Sequence, residues 1–298
     1  MLRNKFIAAF FTLTSAFCVS TYAIAGIGIQ WGNDFSMHMD DKTGEPLVFK
    51  KLAVNVPNYG PISGADIPIT VNRTGWERKV FNFGVKFYID IIPILDALEL
   101  SANYGAWEYN GSITYPTSIA YNSTTKQVEP ANFQTMPITL DEFDMGYLGI
   151  KNTPYMKLNF DLTVRKYIIQ FPKPLKTLNL YGGGGLSLIF ATPLLTSQLV
   201  EDALGSKLNT TLAESALLGT NLFGNKDVME KVVKEISGQL MTPHWGCHID
   251  LGVMIKLPVI PVGFYVDGKL MIPFKDLDEK VDVGGTGILL NTGISLTF

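Results

Sequence analysis

The sequence is short of cysteine, of histidine, of basic clusters and of long apolar runs, and each shortage removes a class of protein. Its 298 residues include two cysteines, Cys18 and Cys247. The first falls in an N-terminal leader, so the mature chain has neither an intrachain disulfide nor a cysteine-based metal site. Lys and Arg number 24 against 27 Asp and Glu, without a basic run, so there is no electrostatic footprint for nucleic acid. Beyond residue 25 no stretch reaches the roughly 18 consecutive apolar residues of a membrane-spanning helix. Yet 47% of the residues are hydrophobic and the mean hydropathy is +0.19. An exported apolar chain without such a helix either hides its apolar faces in a sandwich core or turns them outward to lipid as a closed barrel.

The chain begins Met-Leu-Arg-Asn-Lys, runs apolar from Phe6 to Val19 and reaches Ala23-Ile-Ala25. A basic start, a short apolar region and an Ala-x-Ala site define a secretory signal peptide over residues 1–25, leaving 26–298 as a single domain. The apolar run is shorter than the ~20 residues that a spanning anchor needs. Bulky Phe17 before Cys18 argues against lipid attachment there. Loss of the leader removes Arg3 and Lys5 and no acid, so the formal net charge moves from −3 to −5.

What is present is alternation. Residues 250–269 form two period-2 segments around the turn Leu257-Pro-Val-Ile-Pro-Val262, and the same unit recurs at 81–106 around Ile92-Pro-Ile-Leu-Asp96 and at 157–190 around Phe171-Pro-Lys-Pro-Leu-Lys176. One face of each segment is apolar and the other polar, the mark of strands between two unlike environments. Adding a first strand at 27–33 and a last at 288–298 gives eight. In the fourth, the apolar face meets Lys166, which predicts a bulge or a snorkelling side chain. In the fifth, the glycines at 182–185 precede no helix, so they read as relief of crowding in a curved wall and not as a phosphate loop.

Long connections are expected at 34–77, 108–153, 192–242 and 274–284, all at the end opposite the proline turns. The first contains the turn sequence Asn58-Tyr-Gly-Pro61, and a piece of the second, 143–150, could add a strand. The third has helical spacing at 197–204 and 211–236, a helical insertion whose segment 194–238 lies either above the mouth or inside it.

Eight alternating strands with short turns at one end and long loops at the other make an all-β, up-and-down antiparallel transmembrane barrel with a helical extracellular loop insertion. With the leader and the terminal Gly293-Ile-Ser-Leu-Thr-Phe298, the sequence resembles the eight-stranded bacterial outer-membrane barrels of the OmpA-transmembrane, OmpX or OmpW type. That resemblance implies the outer membrane of a Gram-negative bacterium, a lipid surround, and Phe298 as the signal by which the last strand engages the barrel-assembly machinery. No periplasmic peptidoglycan-binding domain is expected after Phe298. The alternative is a soluble secreted sandwich or lipocalin-like barrel, with the apolar faces turned inward.

The proposed inner face carries Lys86, Lys157, Arg165, Lys256 and Lys269 with Asp90, Glu99, Asp161, Asp250 and Asp267. An eight-stranded barrel is only just wide enough for side chains to fill it, so these ten should pair into a polar plug. His244 and His248 stand ~13 Å apart along a strand at ~3.3 Å per residue, too far to share a metal. His248 and Asp250 would need a loop serine to make a hydrolase, and no serine motif is present. His38 lies alone, and Cys247 reads as a small apolar residue. No catalytic, cofactor or metal set emerges. Three functions stay open: a structural or surface-binding barrel whose loops contact an extracellular ligand, a narrow channel or carrier for a small solute, hydrophobic ones included, and an enzyme acting on lipid or peptide.

Overall fold

The computed structural model describes residues 25–37, 41–56, 60–92, 96–122, 124, 127–138, 152–172, 176–204, 243–257, 260–275 and 285–298. In chain order these form β1 (Ala25–Asp34), β2 (Lys42–Val56), β3 (Gly60–Ile92), β4 (Asp96–Asn122), β5 (Gln127–Ile138), β6 (Thr153–Phe171), β7 (Leu178–Ala191), the helix α1 (Ser197–Leu204), β8 (Pro243–Lys256), β9 (Val262–Pro273) and β10 (Gly287–Thr297). His38, the cores of the three proline turns, residues 143–150 and the expected helix at 211–236 lie outside the described residues.

Eight strands, in the order β1, β3, β4, β6, β7, β8, β9, β10, close into an antiparallel barrel. β1 completes the ring: Gly28 lies opposite Ser295 of β10 on one side and Lys86 of β3 on the other. The termini of the barrel are tied there too. Ala25 N–H donates to the Phe298 carbonyl at 3.0 Å and Phe298 N–H to the Ala25 carbonyl at 2.9 Å. β1 thus runs longer at both ends than the 27–33 expected from its pattern, because its backbone has a partner on each side.

Alternation dictates the two surfaces. On β3, Phe81, Phe83, Val85 and Phe87 are exposed while Asn82, Lys86 and Tyr88 are buried; on β8, Ile249, Leu251, Val253 and Ile255 are exposed while His248, Asp250 and Met254 are buried. The barrel therefore turns its apolar side chains out and its ions in, the reverse of a lipocalin-like barrel. Lys166 is exposed opposite Gly182, and the bulge anticipated near it falls at Ile168, skipped between the pairs Tyr167 with Tyr181 and Ile169 with Leu180.

The glycines of β7 answer to close approach. A Cβ on Gly185 would lie 1.8 Å from the Leu162 carbonyl oxygen, and one on Gly183 would lie 2.4 Å from both Val164 O and Asp250 Oδ1. No side chain fits at either position.

Two of the expected loops are largely strand. β3 and β4 run for 33 and 27 residues, far past the ring. β2 pairs with the first half of β3, from Lys42 opposite Arg73 to Val56 opposite Gly60, and β5 pairs with the second half of β4, from Gly111 opposite Ile138 to Asn122 opposite Gln127. The ladder already formed in the barrel is continued, so Thr-, Ser- and Asn-rich sequence that reads as loop is held extended. Only α1 is helical in the described part of the third connection. Its N-cap is Thr196, whose Oγ1 accepts from Leu199 N–H at 3.1 Å.

Candidate functional site

The interior is built by all eight ring strands. Seven of the ten charges expected inside form one connected cluster at mid-height, every side chain of it fully buried. Glu99 on β4 is its hub. It pairs with Arg165 of β6, lies 3.4 Å from Lys86 Nζ of β3 and 3.5 Å from Lys269 Nζ of β9. Lys86 also meets Asp267 at 2.7 Å, Lys269 meets Asp161 at 3.1 Å, and Arg165 Nε stands 3.8 Å from Asp250. Neutral groups hydrogen-bond two of its members: Ser101 accepts from Lys269 at 2.9 Å, and Asn291 and Tyr181 donate to Asp267 at 3.0 and 3.3 Å. β1 contributes Gln30, which donates to Asn103 at 2.6 Å and accepts from Tyr265 Oη at 3.2 Å.

The other three predicted charges sit above and below. Lys256 pairs with Asp90 at 3.3 Å towards the short-turn end, where Tyr167 also donates to Asp90 at 2.9 Å. Lys157 lies towards the opposite end and pairs at 2.8 Å with Asp34, a carboxylate assigned from sequence to a connection.

Aromatic layers bound the ions. Below them Tyr88, Tyr181, Tyr265 and Met254 pack together as a floor. Two of the cations lie on these rings: Lys86 Nζ is 3.7 Å from the centre of Tyr265, and the Arg165 guanidinium 3.9 Å from that of Tyr181. Above them Trp76, Trp107, Tyr109 and Tyr155 stack as a roof, with ring centres 5.4 to 6.2 Å apart. Sequence alternation marks the floor residues as inward, whereas Trp76 and Tyr109 of the roof fall in stretches expected to be connections. That they gather into two layers depends on strand stagger, which alternation does not encode.

The described part of the third connection covers the roof. Leu194, Leu195, Leu199 and Val200 are buried, and Leu195 is held by its backbone, its N–H donating to Tyr109 Oη at 2.9 Å and its carbonyl accepting from Arg73. The described part of this connection, with its one short helix, therefore lies at the mouth.

His248 finds a serine after all, in the wall and not in a loop. Ser187 Oγ is 2.8 Å from both Asp161 Oδ1 and His248 Nδ1, and Thr163 Oγ1 is 2.8 Å from His248 Nε2. The order is wrong for a nucleophile. The single hydroxyl proton of Ser187 goes to the Asp161 carboxylate, so Nδ1–H of His248 donates to Ser187 and the imidazole removes no proton from it. Ser187 and Asp161 are wholly buried, which leaves no room for a substrate. Among the described residues, no three His, Cys, Asp or Glu side chains are placed to hold a metal ion.

No protein-family model matches the chain, and no curated protein matches it either. What the barrel does must be read from its own surfaces. Those are the ion-filled lumen, the exposed apolar band, and the wall formed where β2–β3 and β4–β5 run on past the ring.

Proposed function

We propose that the chain is an outer-membrane protein of a Gram-negative bacterium, exported by residues 1–25 and inserted through recognition of the β10 strand and Phe298. Its role in this reading is to carry a binding wall, β2 to β5, beyond the lipid on a sealed barrel. One observation carries it: a closed ring of eight strands that exposes Phe, Ile, Leu and Val outward and buries a seven-member ion cluster inward. In water that distribution would leave a large apolar surface uncovered; in a bilayer each face meets the medium it suits. The absence of cofactor chemistry and the presence of extracellular partners are parts of the same proposal.

The layered lumen favours a plug over a pore, since an ion crossing it would have to displace Glu99, Arg165 and both lysines at once. Heat-modifiable migration of the refolded protein on gels tests the barrel in detergent. Planar-bilayer recording then separates the sealed barrel from a narrow channel: steady single-channel steps at neutral pH would overturn the sealed reading.

A further inference from the structure

We propose that the outward face of the β3–β4–β5 extension is a saccharide-binding surface, and that its occupant is the sugar headgroup layer of the outer-leaflet lipid around the barrel; the inference rests on the membrane reading above. On β4 the outward positions run from Leu98, Leu100 and Tyr104 to Asn110, Ser112 and Thr114. Ser112 and Thr114 follow Tyr104 by eight and ten residues, ~26 to 33 Å along a strand at ~3.3 Å per residue. They stand above the apolar band on the same side of the wall, where the headgroups of a surrounding lipid would be.

The chemistry changes abruptly with height. Cross-strand pairing aligns Thr74 with Asn110, Asn72 with Ser112, and Thr70 with Thr114 and then Thr135. Not one of these seven side chains is ionisable, although Glu77, Lys79 and Glu108 form a charged rim just beneath them. The face is also ordered in advance. Asn72 Oδ1 accepts from Gly44 N–H at 2.9 Å, which fixes the amide, and Nδ2 points along the ladder to Ser112 Oγ at 3.2 Å and Thr114 Oγ1 at 3.3 Å. Thr114 and Thr135 hydroxyls are 2.8 Å apart.

A hydroxyl both donates and accepts, so a neutral ladder of hydroxyls and amides matches a partner that does the same, as sugar hydroxyls do. A phosphate would require a cation here, and hydrocarbon would strand every polar group. One row further out, Phe133 lies opposite Pro116 on this face with 55% of its surface exposed, an apolar ring against which the C–H face of a sugar can lie.

The test uses the full chain in phosphatidylcholine vesicles that contain either lipid A alone or the same lipid A carrying its core oligosaccharide. Heat-modifiable migration first establishes insertion in both. The expected result is that lipid with the core sugars stays with the protein through detergent washing about tenfold more than lipid A. Free core oligosaccharide should compete, and the preference should fall to near parity in Phe133→Ala with Thr135→Val, two exposed sites whose loss spares the barrel. Insertion without discrimination between the two lipids overturns this inference alone. So does discrimination that the double variant leaves unchanged. Failure to insert in either vesicle overturns the membrane reading and this inference with it.

Discussion

Glu99 and Arg165 pair diagonally across adjacent strands β4 and β6, Glu99 lying opposite Thr163 and Arg165 opposite Ala97, as an ion pair with neither side chain exposed. Lys86 and Lys269 converge on the same carboxylate, so Glu99 compensates three cations. Replacing Glu99 by Gln keeps its volume and removes the compensation. The expected cost is about 3 to 5 kcal/mol in urea unfolding from micelles, the usual penalty for a buried charge left without its partner. Arg165→Met alone should cost a similar amount by leaving four carboxylates to two lysines. Paired with Glu99→Gln, it should cost clearly less than the sum of the two single changes. Additive losses would show that the pair is not coupled.

Side chains at every second position share a face, and eight of the ten charges so assigned are buried while Asp90 and Lys256 are partly exposed. Asp34 was not so assigned. It ends β1 just where apolar alternation fades, so it reads as the start of a loop, and only the tertiary pairing with Lys157 reveals it. The hairpins β2–β3 and β4–β5 were misread for a related reason. Their Thr, Ser, Asn, Pro and Gly content weakens the strand signal, while the force that extends them is the ladder rising from the barrel, a long-range effect. The helix at 197–204 was legible from its spacing, yet its seat in the mouth depends on Arg73 and Tyr109, more than 80 residues away in sequence.

Gly183 and Gly185 should tolerate no added side chain. An added methyl at Gly185 collides with the Leu162 carbonyl, and one at Gly183 collides with Val164 O and the Asp250 carboxylate. Gly183→Ala and Gly185→Ala should each lose about 1 to 3 kcal/mol, the range for overpacking a filled site. Gly268→Ala, whose nearest neighbour is Leu290 Cδ2 at 3.4 Å, should leave the urea midpoint within error. Equal tolerance at all three sites would contradict the close approach of β6 and β7.

Leu251 and Gly252 test whether the exposed face meets lipid. Leu251 is 58% exposed, and Gly252 faces inward against the Tyr181 ring, where a Cβ would lie 2.5 Å from Cζ. In a bilayer, Leu251→Arg should cost about 2 to 4 kcal/mol if the site is near the midplane. In water the same exposed substitution should change stability by no more than about 0.5 kcal/mol. Folding into lipid vesicles, followed by the fraction that migrates as the compact form, distinguishes the two. An unperturbed Leu251→Arg protein would remove the support that the apolar band gives to a membrane setting.

Tyr109 joins the roof of the lumen to the segment that covers it. Its ring stacks with Trp76, and its hydroxyl accepts from the Leu195 amide at 2.9 Å. Tyr109→Phe keeps the ring and deletes the acceptor, leaving a buried N–H without its partner. The expected loss is about 1 to 3 kcal/mol, confined to the opening of this segment. Hydrogen exchange at Leu195 should then accelerate by roughly 5- to 150-fold, while amides of β8 and β9 keep their protection. The two regions answer separately because Leu195 is anchored by a few side-chain bonds, whereas β8 and β9 exchange only when the ring itself opens. Uniform acceleration across the barrel would mean that Tyr109 supports the wall and not the segment over the roof.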